Sequence, residues 1–317
     1  MTPRSPNFIG ASCAILAVFL FSANDTIIKF LSDDYALHQV VLIRSIIGLL
    51  IVMAVIMPLS GGWSVVRTNR LGMHMLRGCA VVFANMAFFL GLAALPLAEA
   101  VAIFFISPTV ITIFSVIFLG EYVGPRRWAA IGVGLLGVLI VVRPGTDAFQ
   151  IASLLPIAAA VGYAFIHIIA RRIGDTESAA TMTFYIQVMF ILICLMIGLV
   201  IGDGRFGGQS DPSLAFMFRA WRWPDAADAH LFVLIGIGIA GAGYLISQAY
   251  RVAEAGFVAP FEYLALPIGI FWGVVVFGDY PDATTLLGAA LIIGSGIFNI
   301  WRESQLGQAA QRPRHRR

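Results

Sequence analysis

Apolar runs of helical length follow one another along nearly the whole chain, separated by short polar or charged breaks. They fall roughly at 8–31, 38–58, 72–92, 97–119, 126–143, 151–172, 179–201, 229–250, 254–277 and 284–302. A membrane-spanning helix needs about 20 mostly apolar residues. The pattern therefore predicts an all-α membrane protein of ten transmembrane helices. The first run, around Phe8–Ala23, has the look of a secretory signal, but it is too long and has a counterpart in the second half.

Two stretches repeat one another. Ala98-Glu99-Ala100 leads through an apolar run to Gly120-Glu121-Tyr122, and Ala253-Glu254-Ala255 leads through another to Gly278-Asp279-Tyr280. Arg126 and Arg127 follow the first copy. Asp279 and Asp282 close the second, with no Lys or Arg before Arg302. Basic residues gather on the cytoplasmic side of short membrane loops, so the same motif ends inside once and outside once. Five helices per half make the second half inverted, which is a common construction of secondary transporters. The expected organisation is a first repeat at 8–143, a second at 149–302, and a basic disordered tail at 303–317.

Composition agrees. Hydrophobic residues make up 60% of the 317 and charged residues 12%, against about 25% charged in a soluble domain. Mean hydropathy is +0.91. The net charge of +3 resides in loops between apolar runs and does not point to nucleic acid. With the N-terminus inside, the outer ends hold five basic residues (Lys29, Arg143, Arg205, Arg219 and Arg222). Arg44 lies within a helix and the other 14 fall inside. Both termini are expected in the cytoplasm. Cys13, Cys79 and Cys194 are scattered in apolar runs, which argues against disulfides and a metal site. No cofactor is expected. The longest loop, about 203–228, carries Trp221, Arg222, Trp223 and Pro224. It reads as a headgroup anchor or as a gate.

Small residues mark close packing in lipid. Gly132, Gly134 and Gly137 line the fifth helix, and Gly288, Gly294 and Gly296 the tenth. These helices read as a structural pair or as the face of a homodimer. Gly236, Gly238, Gly241 and Gly243 of the eighth read as packing or as room for a solute.

A charge near the bilayer centre costs about 2.5–3.5 kcal/mol on insertion scales, so it faces a cavity or a partner. Asp25 and Lys29 share a face of the first helix, as a local ion pair or with Asp25 turned into a cavity. The repeat sets His167 opposite Asp25 and Tyr163 opposite Phe21. It sets Tyr244 opposite Phe89. Arg44 either snorkels outward or anchors a solute carboxylate. Glu262, between Pro260 and Pro267, sits where prolines free backbone groups beside a cavity. The candidate solute or proton site is Asp25, His167, Glu262, Arg44, Phe21, Tyr163 and Tyr244. Glu99 and Glu254 open helices, where the dipole favours a carboxylate, and read as structural.

The ten-helix count, the repeated Ala-Glu-Ala…Gly-Glu/Asp-Tyr segments, Ala259-Pro260-Phe261 and an Arg early in the second helix carry a resemblance. The chain resembles the drug/metabolite transporter superfamily, proteins with two EamA-like domains, over about residues 8–302. The resemblance implies a 5+5 inverted repeat around a central cavity, alternating access, and solutes such as amino acids, amines, S-adenosylmethionine or riboflavin. A broad-specificity exporter is an alternative. An intramembrane lipid-modifying enzyme is a distant one, because no HExxH or paired-Asp motif appears. No P-loop appears either, so this chain is not expected to hydrolyse ATP. The expected partners are a small-molecule solute and the bilayer of a bacterial inner membrane.

Overall fold

The computed structural model describes residues 6–120, 124–146, 149–173, 178–252, 258 and 261–311, and among them all regular structure is helical. The helices are α1 (Pro6–Leu31), α2 (Leu37–Ile51), α3 (Leu71–Ala94), α4 (Leu97–Phe104), α5 (Ser107–Leu119), α6 (Pro125–Val142), α7 (Leu154–Ile173), α8 (Ala179–Ile201), α9 (Pro212–Phe218), α10 (Ala229–Val252), α11 (Ala265–Trp272) and α12 (Ala283–Gln311). A π-helical turn (Val52–Ile56) prolongs α2 as far as Leu59, and another (Gly273–Phe277) prolongs α11. Among the described residues, six helices are long and apolar enough to cross a membrane.

Two expected single helices are interrupted. The run at 97–119 breaks after Phe104 and restarts at Ser107, beside Pro108. Proline has no N–H, and its ring crowds the preceding turn. Ile106 N–H instead closes a tighter turn on Ile103 O at 3.1 Å. In the run at 254–277, Phe261 and Glu262 are helical, a turn follows at residues 263–264, and α11 begins at Ala265. Irregular backbone at membrane depth is tolerated where protein or a cavity satisfies it. At the other extreme, α12 runs to Gln311, past residue 303 where the tail was expected to begin. Glu303 to Gln311 are mostly good helix formers with no proline until Pro313.

Pairing between helices sets the frame. α1 packs along α10, α3 along α7, α2 along α8 and α6 along α12. The α6–α12 pair approaches closely. A Cβ on Gly137 would lie 2.8 Å from Gly288 O, and one on Gly288 would lie 2.6 Å from Gly137 O. Gly134 likewise faces Ser295 Oγ. These glycines thus hold α6 and α12 together within one chain. The glycines of α10 divide: Gly236 is pressed by Ile47 of α2 and Gly241 touches Leu20 of α1, whereas Gly238 and Gly243 meet open space.

The end of the bundle that carries the α1–α2 turn is laced by polar contacts. Tyr35, fully buried, donates to Asp228 Oδ2 at 2.7 Å and accepts from Asp225 N–H at 3.0 Å. Gln39 donates to Arg222 O, and the Arg222 guanidinium lies over the Tyr35 ring. Arg219 donates to Ser32 O at 3.1 Å. The long loop is therefore clamped onto the α1–α2 turn. Trp221, read from the sequence as a headgroup anchor, packs on His38 and against Gly198 instead. Trp223 is thrust out, 93% exposed.

Candidate functional site

Asp25 and Lys29 lie one turn apart on α1 yet do not pair. Lys29 Nζ donates to Leu92 O at 3.0 Å and to Leu95 O at 2.6 Å, and it stands over the Phe277 ring. Those carbonyls end α3, where backbone acceptors lack helical partners and the dipole favours a cation. The local ion pair considered from spacing is not formed. Asp25 Oδ1 accepts from Asn24 Nδ2 at 3.2 Å, and its charge bears on Arg44 across the interior.

Arg44 does not snorkel outward. It is 1% exposed, with its guanidinium 5.3 Å from the Phe89 ring centroid and 5.2 Å from that of Phe190. The two rings, from α3 and α8, hold the charge by cation–π attraction, which strengthens when water is excluded. Its Nε and Nη1 are buried with no hydrogen-bond partner. A buried donor without an acceptor costs about 1–3 kcal/mol, more when charged. Unsatisfied donors on a clamped cation suit a guest that brings acceptors.

From Arg44 a line of rings crosses the bundle. Phe89 touches Phe88 (centroids 5.9 Å apart), Phe88 touches Phe104 (5.2 Å), and Phe104 meets Tyr163 edge-on (5.4 Å). Tyr163 on α7 then feels the charges of Glu262 and Arg77. Glu262 stands at the break before α11, and its charge also reaches Tyr263. Tyr263 stacks on Phe105 at the α4–α5 break and fills the notch at Gly296, where a Cβ would lie 1.6 Å from its hydroxyl oxygen. The two interrupted spans thus meet through Phe105 and Tyr263.

Asp25, Arg44, Tyr163 and Glu262 are joined by this set of charges and rings. Phe21 is half-buried one turn before Asp25. Tyr244 is 41% exposed, and its hydroxyl accepts from Gln248 at 2.8 Å, apart from the ring line. The side chain of His167 lies outside the described residues. Phe190 is not among the residues singled out from the sequence, because nothing along the chain shows that α8 packs beside α2 and brings this ring to Arg44. Arg77, one of the 14 basic residues expected on the cytoplasmic side, lies inside α3, half-buried, with Nε and Nη1 unpartnered.

Comparison with known proteins gives a consistent context. The EamA-like transporter family matches residues 8–143. A riboflavin transporter of Vibrio cholerae is 30% identical, covering 91% of this chain and 92% of its own. A riboflavin transporter of Rhizobium johnstonii is 33% identical over 75% and 72%. An S-adenosylmethionine uptake transporter of Rickettsia bellii is 26% identical over 94% and 95%. A protein of known crystal structure, 18% identical, shares the fold with a TM-score of 0.61 over 96% of this chain and 98% of its own.

Proposed function

This chain belongs to the EamA-like transporter family, and from that premise we propose that it carries a small metabolite bearing an aromatic heterocycle, riboflavin first among candidates, by alternating access. It is a multi-pass membrane transporter and not an enzyme. The observation that carries the substrate reading is the buried Arg44 guanidinium. Two of its nitrogens lack acceptors, and it stands between Phe89 and Phe190 at the head of the ring line to Tyr163. Aromatic rings offer stacking faces to a planar heterocycle. Arg44 offers paired donors to its carbonyl edge, and Asp25 and Glu262 accept from its N–H or hydroxyl groups.

We read the architecture as a 5+5 inverted repeat of ten spans. The pairing supports it: α1 on α10 and α7 on α3 are exchanged by a two-fold relation, and α2 with α8 and α6 with α12 are each other's counterparts. The broken spans at Phe105 and Tyr263 are counterparts as well, and such breaks mark solute sites in repeat-built carriers. In this reading the α1–α2 end is external and both termini are cytoplasmic, in a bacterial inner membrane. The clamp of Tyr35 on Asp228 and of Lys29 on the α3 end then closes the outer side.

The test is binding and uptake by purified protein in proteoliposomes, with riboflavin and S-adenosylmethionine as separate solutes. Saturable riboflavin uptake with counterflow, lost in Arg44→Gln, supports the proposal. Saturable uptake of S-adenosylmethionine alone moves the substrate class to a cationic nucleoside. Flux of neither solute rejects both. Direction has a second reading, because a pseudopaline exporter of Pseudomonas aeruginosa is 26% identical over 90% of this chain and 93% of its own. Uptake by inside-out vesicles alone would assign export.

A further inference from the structure

We propose that the cavity between the α2–α3 loop and the start of α8 binds the phosphodiester headgroup of an anionic membrane lipid. The cavity measures about 670 Å³ and its polar wall is formed by Ser60, Ser64, Arg67, Asn69, Ser178 and Thr181. Among the described residues, Arg67 is the one charge in the lining, and its guanidinium makes no hydrogen bond or ion pair. Among the described residues the lining holds no carboxylate, and the Arg67 guanidinium and the Asn69 amide offer donors suited to phosphate oxygens, while Ser64 Oγ donates to Gly61 O and the Ser178 and Thr181 hydroxyls bond one another. The first turn of the 23-residue α8 opens onto the same wall, with Ser178 capping Thr181 N–H at 3.0 Å. Its dipole adds to the preference for an anion.

The wall is fixed in place. Val65 is buried in a small cluster with Val52, Ile56, Met57 and Ala180. Tyr185 donates to Val66 O at 2.7 Å, and Gly61 and Gly62 turn the chain with positive φ. The loop therefore holds its shape before any ligand arrives.

Lipid is favoured over a free anion by the collar of the cavity. Leu71 (50% exposed) lines the cavity at the start of one membrane span, and Leu59 (75%), at the end of the preceding span, and Trp63 (74%) stand bare next in sequence to the lining residues Ser60 and Ser64. Apolar side chains left bare around a polar pocket at this depth suit acyl chains, and Trp seats at the headgroup level. Basic pockets between spans are a known geometry for anionic lipid headgroups. A soluble anion would use the polar wall and leave the collar in water. This site lies apart from Arg44 and Glu262 and stands whatever solute the carrier moves.

The test is native mass spectrometry of the full-length chain, released from detergent after incubation with palmitoyl-oleoyl phosphatidylglycerol or phosphatidylcholine. The wild type should retain phosphatidylglycerol in preference. Arg67→Gln should lower retention about fivefold, the effect expected of one basic contact. Trp63→Ala should lower it as well, and Arg205→Gln, at the opposite end of the bundle, should not. Gel filtration checks that these exposed-residue variants remain folded. Equal retention of the two lipids, or unchanged retention in Arg67→Gln, overturns the proposal. Thermal stabilisation by inorganic phosphate that depends on Arg67, without lipid preference, assigns the cavity to a free anion and overturns it too.

Discussion

Lys29 donates to the carbonyl of Leu95 at 2.6 Å, so the cation one turn beyond Asp25 serves the end of α3 and not its helical neighbour. Asp25 is left facing the interior, with Asn24 as its hydrogen-bond partner and the charge of Arg44 within electrostatic reach. This division between an end-capping cation and an inward carboxylate separates structural charge from candidate solute chemistry on α1.

Lys29→Met should therefore destabilise the α1–α3 junction. A hydrogen bond to a charged group is worth about 1.5–3 kcal/mol, and Lys29 makes two. Thermal unfolding in detergent should show a lower midpoint than in wild type. Asp25→Asn should leave that midpoint nearly unchanged while weakening solute binding. A similar loss of stability in both variants would mean that the two residues act as one unit.

Arg44 offers a sharper separation. Arg44→Lys keeps the charge but removes the planar fork, so riboflavin binding should fall at least about tenfold if each lost charge-assisted bond is worth about 1.5 kcal/mol. Tyr163→Phe keeps the edge-on ring contact with Phe104 and should bind within about threefold of wild type. Titration of flavin fluorescence quenching reads both. Full binding by Arg44→Lys would remove the guanidinium from the site.

The glycines of α6 and α12 should respond by position. Gly137→Val places carbon against Gly288 O and the Ile292 side chain, whereas a Cβ at Gly132 meets nothing within 4 Å. Overpacking costs about 1–3 kcal/mol, so Gly137→Val should lower the unfolding midpoint and Gly132→Val should not. Gly296→Ala should lower it also, because the new methyl would displace the Tyr263 hydroxyl.

The Arg143–Asp282 pair supplies a pH dependence. Arg143 Nη2 binds both carboxylate oxygens, at 2.6 and 2.5 Å, joining the end of α6 to the start of α12. The guanidinium, first, and then bonds from Thr285 hold the Asp282 carboxyl down at about 2, against about 3.9 for a free aspartate. A depressed carboxylate stabilises the fold above its unfolded value, and that stabilisation is lost as pH falls through its folded value. The midpoint difference between wild type and Asp282→Asn should be full above about pH 4 and fade towards pH 2. The effect should be small, because the pair is partly exposed. A difference that persists unchanged at pH 2 would locate the effect of the substitution elsewhere.

The length and spacing of the apolar runs determined the helices, because each span must satisfy its own backbone in lipid. The prolines at 108, 260 and 267 marked the two spans that are interrupted, though not the residues at which they break. The cost of intramembrane charge singled out Asp25, Arg44 and Glu262 without any structure. Tertiary packing decided which partner each charge received. Spacing along α1 allowed an Asp25–Lys29 pair, yet the carbonyls that take Lys29 belong to residues more than sixty positions away. The same holds for Arg44. Only the packing of α2 against α3 and α8 brings Phe89 and Phe190 to its two sides. Periodicity records which residues share a helical face, but not which distant face meets them, since that is set by how the helices cross and how closely small residues let them approach.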